Sequence, residues 1–345
     1  MSHKQLRTAV LGLNEAGRIL LKAAADTSIL QLQAVADEDS KLAESLGANH
    51  RCAYYDDYRQ LIIQEQLDCL LVGSAIHKAD EYIKMAMKKK VHILKTPPLA
   101  RNFAEAAELV DLAEEQGLQF AVANTNRFAQ SFLEMRKFFQ QTSSQHAYLI
   151  SAVCHLGQQP QAGWQTDEKL AGGGVLLHDC YEIIDQILWN FGTPQQVYSL
   201  KMSLAPDKQQ RLYLTEDVAI ATMKFTDTCL AIVTAMRNYG PEQKLLKIYT
   251  KDRVLSVSEN VFCVNDLHGK KIEESEHDDS KHCRMAALLE NFAMSILDAD
   301  KIGPVSRAKE NLANMAVVEA AYLSSRTAMP EQPAKISRMA TTARP

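Results

Sequence analysis

The first third of the chain alternates short β-branched or leucine-rich runs, at residues 8–13, 32–36, 69–73, 91–94 and 120–123, with longer stretches of helical periodicity. This alternation is the tightest constraint on the fold. Strands separated by helices pair in parallel through right-handed crossovers, which makes this region a doubly wound α/β sheet. Within 103–116, for instance, Phe103, Ala106, Ala107, Leu109, Val110 and Ala113 recur at helical spacing and Gly117 follows as a stop. After Arg127 the pattern changes. A helical stretch at 128–140, a strand at 147–154 and a helix at 175–189 lead into strands at 197–203, 217–225, 230–237, 245–250, 254–257 and 261–264. No helix among these last strands is long enough for a crossover, so they predict an α+β domain with a large open antiparallel sheet. Helices near 283–297 and 307–327 close it. The expected division is 1–127, 128–330 and a flexible tail at 331–345 rich in Pro, Ala and Thr.

A chain of 345 residues with 46% apolar residues has the material for two cores. The formal net charge is −4, and the only basic cluster is Lys88, Lys89 and Lys90, which argues against nucleic acid as a partner. No apolar stretch approaches the roughly 18 residues of a membrane span, and the polar start has no signal-peptide core behind it. A cytoplasmic protein with no membrane partner is expected. Seven scattered cysteines without a C-x-x-C pair read as reduced thiols.

The first strand runs into Gly12-Leu13-Asn14-Glu15-Ala16-Gly17 and then into a helix. A turn of this kind aims backbone N–H groups and a positive helix end at a pyrophosphate. The middle glycine of G-x-G-x-x-G is Asn14 here, a residue that tolerates left-handed backbone angles better than most. The second strand ends at Asp37, 20 positions after Gly17, where a carboxylate accepts from ribose hydroxyls and repels a 2′-phosphate. NAD is therefore expected over NADP. The alternative is that Asp37 caps the helix beginning near Ser40. Gly73 and Ser74, after the third strand, are placed to line the same crevice.

Three further stretches carry a resemblance: Val91-His92-Ile93-Leu94-Lys95-Thr96-Pro97-Pro98-Leu99-Ala100, then Asn126-Arg127-Phe128, then Trp164-Gln165-Thr166-Asp167 leading to Gly172-Gly173-Gly174-Val175-Leu176-Leu177 and Asp185-Gln186-Ile187-Leu188-Trp189. With them the chain resembles the Gfo/Idh/MocA oxidoreductases from Gly12 to Pro330. The resemblance implies an N-terminal Rossmann domain, a C-terminal domain whose open sheet makes oligomer contacts, and hydride transfer between NAD(P) and a sugar, cyclitol or related alcohol. It also adds Thr96 and Pro97 to the expected cofactor contacts, and Arg127, Trp164, His155 and Asp185 to the expected substrate contacts.

Two departures bear on the chemistry. The family's usual Glu-Lys-Pro reads Thr96-Pro97-Pro98, so Pro97 stands at the lysine position and Lys95, two residues earlier on the same strand face, is the candidate substitute. The family's Asp, followed four residues later by a His facing the nicotinamide, becomes His178 and Glu182, with Cys180 between them. Four apart on one helix, they can hydrogen-bond, orienting the imidazole and raising its pKa. His178 is then the proton-transfer group and Glu182 its partner, with no metal required. The resulting expectation is an NAD(P)-dependent dehydrogenase, a homodimer or homotetramer through the second sheet. The competing class is a catalytically silent member that binds a dinucleotide or sugar derivative as a sensor or assembly subunit.

Overall fold

The computed structural model describes residues 5–141, 146–157, 163–203 and 214–342. The chain divides into two compact units. The first comprises Met1–Ala100, Glu105–Thr125 and Ser280–Asn311; the second comprises Arg101–Ala104, Asn126–Asp279 and Leu312–Pro345.

In the first unit, strands β1 (Leu6–Leu11), β2 (Leu30–Ala36), β3 (Ala53–Tyr55), β4 (Cys69–Val72), β5 (His92–Lys95) and β6 (Phe120–Val122) form one sheet in the order β3-β2-β1-β4-β5-β6. Every pairing is parallel. The central strand β4 is apolar along its whole length: Cys69, Leu70, Leu71 and Val72 are all buried, as a strand covered on both faces must be. The crossovers are α1 (Glu15–Asp26), α2 (Ser40–His50), α3 (Tyr58–Gln64), α4 (Ile76–Lys88) and α5 (Phe103–Gln116). Sequence periodicity missed β3, whose three residues are too few to show alternation. Order reverses between β2-β1 and β4, so the β1 and β4 ends form the switch point where ligands of such sheets bind.

The second unit contains α6 (Gln130–Gln141), β7 (Leu149–Leu156), three helical pieces α7 (Glu168–Ala171), α8 (Val175–His178) and α9 (Tyr181–Phe191), and then β8 (Gln196–Met202), β9 (Val218–Thr226), β10 (Cys229–Arg237), β11 (Gln243–Tyr249), β12 (Val254–Val257), β13 (Val261–Asn265) and β14 (Lys271–Glu276). Eight strands pair in the order β14-β13-β12-β11-β7-β10-β9-β8. The sheet is mixed, not purely antiparallel, because β7 and β10 pair in parallel. The helical segment between β7 and β8 supplies the long return that a parallel neighbour requires. Alternation along β10 buries Cys229, Ala231, Val233, Ala235 and Arg237 on one face and leaves Leu230 exposed on the other.

Two further differences from the sequence reading concern the end of the chain. The helix α10 (Lys281–Leu297) groups with the first unit, where it packs on α1 and His282 pairs with Asp26 at 2.9 Å. The stretch expected as a flexible tail instead forms α12 (Pro333–Thr342), after α11 (Ala308–Thr327). Just before α12, Glu331 exchanges both backbone hydrogen bonds with Val197 of β8, covering part of an edge strand that would otherwise present unpaired groups.

Candidate functional site

In the first unit the turn after β1 is shaped by missing side chains. Gly12 has φ +86°, and a Cβ there would lie 2.4 Å from the Ser74 backbone. A Cβ on Gly17 would lie 1.8 Å from the Gly12 carbonyl oxygen. The start of α1 is thus pressed against the end of β1, with Gly73 of the next strand end in backbone contact with Gly17. Asn14 does not use a left-handed conformation: its φ is −60° and its ψ −177°. It is the N-cap of α1, its Oδ1 accepting from Gly17 N at 2.9 Å, which satisfies one of the amides a helix start leaves open. Glu15 and Ala16 complete this first turn.

Asp37 follows β2 and accepts from Leu13 N at 2.6 Å through one oxygen and from Asp39 N at 3.0 Å through the other. The cap of α2 is Asp39, which accepts from Lys41 N and Leu42 N, so the capping alternative for Asp37 is set aside. The Ser74 hydroxyl is buried beside Gly12 and has no hydrogen-bond partner among the described residues. A close-packed glycine cradle, a helix start, a carboxylate at the end of β2 and a buried unsatisfied hydroxyl fit a dinucleotide.

Lys95 does not replace the lysine lost at position 97. Its side chain is 3% exposed and its Nζ donates to the Leu99 carbonyl at 2.6 Å, so the amine braces the Thr96-Pro97-Pro98 bend. Burial lowers its pKa from 10.5 to about 8, against the favourable charges of Asp80 and Glu105. Thr96 sits at the β5 end with its hydroxyl 3.4 Å from the Val72 carbonyl, and the Pro97–Pro98 peptide is cis.

The second unit gathers most of the remaining candidates. The single helix expected over 175–189 is broken. α8 ends at His178 and α9 begins at Tyr181, because the Asp179 carbonyl accepts from Cys154 Sγ of β7 at 3.2 Å and Cys180 N reaches back to Val175 O at 3.1 Å. His178 and Glu182 are therefore not successive rungs of one continuous helix. His178 Nε2 lies 2.9 Å from the Ala171 carbonyl oxygen. A carbonyl only accepts, so Nε2 carries the proton and Nδ1 is the basic nitrogen of the neutral ring. The Trp164 ring meets the imidazole edge-on, centroids 5.7 Å apart. Glu182 accepts from Asn126 N at 3.4 Å.

Asp185 and Arg127 come together, but with each other. Arg127 Nε and Nη2 donate to the two Asp185 oxygens at 2.8 and 2.7 Å, and Asn314 Nδ2 donates to Oδ1 at 2.9 Å. With Asp185 0% and Arg127 3% exposed, this bidentate pair is interior, and its hydrogen-bonding capacity is directed inward and not toward substrate hydroxyls. His155 parts company with the cluster for a reason of parity. Cys154 faces the helices, so its neighbour on β7 faces the opposite side of the sheet.

Two cations escaped the sequence reading. Arg237, buried at the end of β10, pairs with Asp179, whose carboxyl pKa burial raises against the pull of that arginine. Lys244 lies opposite Cys154 in the β7–β11 register, on the helix-facing side. Burial lowers the Lys244 pKa, but Cys154, Glu182, Glu242 and Asp179 outweigh it and the net shift is upward. A signal did exist for Arg237: it falls on the same parity as Ala231, Val233 and Ala235, and an arginine on a buried parity needs a buried acid.

Comparison with known proteins identifies the family and the fold. Residues 6–124 match the family model described as "Oxidoreductase family, NAD-binding Rossmann fold" (GFO_IDH_MocA), and residues 135–255 match the GFO/IDH/MocA C-terminal domain. The UDP-N-acetylglucosamine 3-dehydrogenase of Acidithiobacillus ferrooxidans is 25% identical over 264 residues, 76% of each chain. The myo-inositol 2-dehydrogenase of Thermotoga maritima is 20% identical over 274 residues, 77% of this chain and 80% of its own. Among solved structures, the WlbA dehydrogenase of Bordetella pertussis in complex with NADH and UDP-GlcNAcA superposes with a TM-score of 0.80 at 16% identity, covering 95% of this chain and 99% of that one.

Proposed function

The chain belongs to the Gfo/Idh/MocA family of NAD-binding oxidoreductases, and from that premise we propose that it oxidises a secondary alcohol of a sugar, cyclitol or related polyhydroxylated small molecule, with NAD preferred over NADP. The first unit holds the dinucleotide through the backbone of the turn formed by Gly12, Asn14, Glu15, Ala16 and Gly17, and through Asp37, Gly73, Ser74, Thr96 and Pro97. When bound, its nicotinamide supplies the hydride acceptor. The Asp37 carboxylate receives ribose hydroxyls and disfavours a 2′-phosphate, which supports the NAD preference.

Oxidation of a carbinol carbon requires a group that takes the hydroxyl proton. We assign that role to His178 Nδ1, and the observation behind the assignment is the imidazole fixed through Nε2 on Ala171 and flanked by Trp164. In the same unit Glu182 helps to hold up the pKa of the half-exposed Lys244. Arg127 and Asp185 support the same cluster from the interior. The test is turnover of NAD with a panel of sugars, inositols and nucleotide sugars. His178→Ala lowers kcat by roughly 10²- to 10⁴-fold on the substrate that works. Equal rates for variant and wild type remove His178 from the mechanism.

The exposed face of the second sheet supports association. Leu200, Ile220, Tyr198, Met202, Leu230 and Tyr249 are exposed there, and Leu200 and Ile220 are direct cross-strand neighbours. An apolar surface of this extent suits a second copy of the same face. A homodimer or homotetramer follows, and sedimentation of the chain as monomer alone contradicts it.

A further inference from the structure

Three consecutive polar residues, Thr215, Glu216 and Asp217, are buried just before β9, with exposures of 0%, 1% and 0%. Buried carboxylates without hydrogen bonds are costly, so their partners show what they hold. Glu216 Oε2 accepts from Gly174 N at 2.8 Å, and Oε1 accepts from Leu176 N at 3.0 Å and from the Tyr322 hydroxyl at 2.8 Å. The Glu216 carbonyl takes Val175 N at 3.0 Å. Three successive amides at the start of α8 are thereby satisfied by one residue 40 positions beyond Leu176. α8 is only four residues long and has no side-chain cap of its own, so it cannot persist on local hydrogen bonds. The approach is close: a Cβ on Gly174 would lie 2.0 Å from the Glu216 carbonyl oxygen. The adjacent Thr215 hydroxyl donates to the Gln165 carbonyl at 2.8 Å, in the turn Gly163–Thr166 that carries Trp164. Leu214 bridges Asp167 beyond that turn.

One short strap therefore holds both partners of the ring contact, α8 with His178 at its last position and the turn with Trp164. We propose that Glu216 is a positioning residue that sets the His178 imidazole against Trp164. The proposal rests on the reading of His178 as the proton acceptor, but its geometric content is measurable without turnover. The carboxylate is required as such, because an amide at 216 turns a donor toward a backbone N–H. Tyr322 adds the third donor from α11, and Lys201 approaches the same ring at 4.8 Å.

The experiment is tryptophan emission across the imidazole titration, since a protonated imidazole quenches an indole it touches. The Trp164 part of the signal is defined as what Trp164→Phe loses, which separates it from Trp189. In wild type that emission rises with pH, and His178→Ala abolishes the rise. Glu216→Gln is expected to lose most of the rise and to lower kcat by roughly 10- to 100-fold, with KM for NAD unchanged. Tyr322→Phe and Thr215→Val, which keep the carboxylate, give smaller losses of the same kind and serve if Glu216→Gln fails to unfold cooperatively. A Glu216→Gln protein with the full rise overturns the proposal, as does a full rise in both milder variants. Loss of the rise with turnover intact upholds the brace and removes His178 from catalysis.

Discussion

The nucleotide turn of the first unit and the polar cluster of the second are built on opposite principles. The turn is made by subtraction: Gly12, Gly17 and Gly73 carry no side chain, so three stretches of backbone come within distances that a single methyl would block. The cluster is made by addition. Arg127, Asp185, Glu216 and Arg237 are charged groups taken out of water, each held by partners from distant parts of the sequence. Backbone contacts of the first kind are sensitive to volume, whereas the second kind is sensitive to the loss of any one partner. A buried pair contributes little net stability compared with apolar packing, yet an orphaned member is strongly destabilising.

The largest effect expected follows from that asymmetry. Arg127→Ala leaves the Asp185 carboxyl at 0% exposure without its bidentate partner and destabilises the protein by about 3–5 kcal/mol, measured by denaturant unfolding. Joint replacement of Arg127 and Asp185 by apolar residues recovers much of this loss. If the double variant is no more stable than the single one, the pair is not a closed unit.

Next in size is a buried charge on the other side of the comparison. Lys95 has a carbonyl as its hydrogen-bond partner, and its pKa falls from 10.5 unfolded to about 8 folded. Between those values the unfolded chain binds more protons than the native one, so this lysine makes stability rise with pH from about 8 to 10.5. The difference between wild type and Lys95→Met should change by up to about 3 kcal/mol across that window. A pH-independent difference shows that the amine is not desolvated in the folded chain.

The smallest effect concerns the turn itself. Asn14→Gly removes the side chain that occupies Gly17 N, at a stability cost of only about a few tenths of a kcal/mol. Calorimetric titration with NAD should show tighter binding, because an amide is freed and the backbone becomes more approachable. Weaker binding by the variant assigns Asn14 a positive role in holding the cofactor.

Much of the first unit was legible because its signals are local. Strand, turn and helix lie within residues 6–26, and Asp37 follows at the interval the turn requires. The partner of Lys95 was not legible for a physical reason: strand parity places a side chain on a face, but not whether a carbonyl such as that of Leu99 will claim it. The break between α8 and α9 was invisible for a similar reason, since it depends on Cys154 of β7 competing for the Asp179 carbonyl. Arg127 and Asp185 were both singled out, yet their mutual pairing depends on a contact spanning 58 positions.

By itself the sequence determined the alternation that makes the first sheet parallel, the glycine turn, the acid at position 37 and the open second sheet. These follow from periodicity and backbone sterics acting over a few residues. Tertiary structure alone decided the parallel seat of β7 beside β10, the inward pairing of Arg127 with Asp185, and the support of α8 by Glu216. In each case the open hydrogen-bonding groups of one segment are satisfied by another far along the chain, and no local pattern records which distant group that will be.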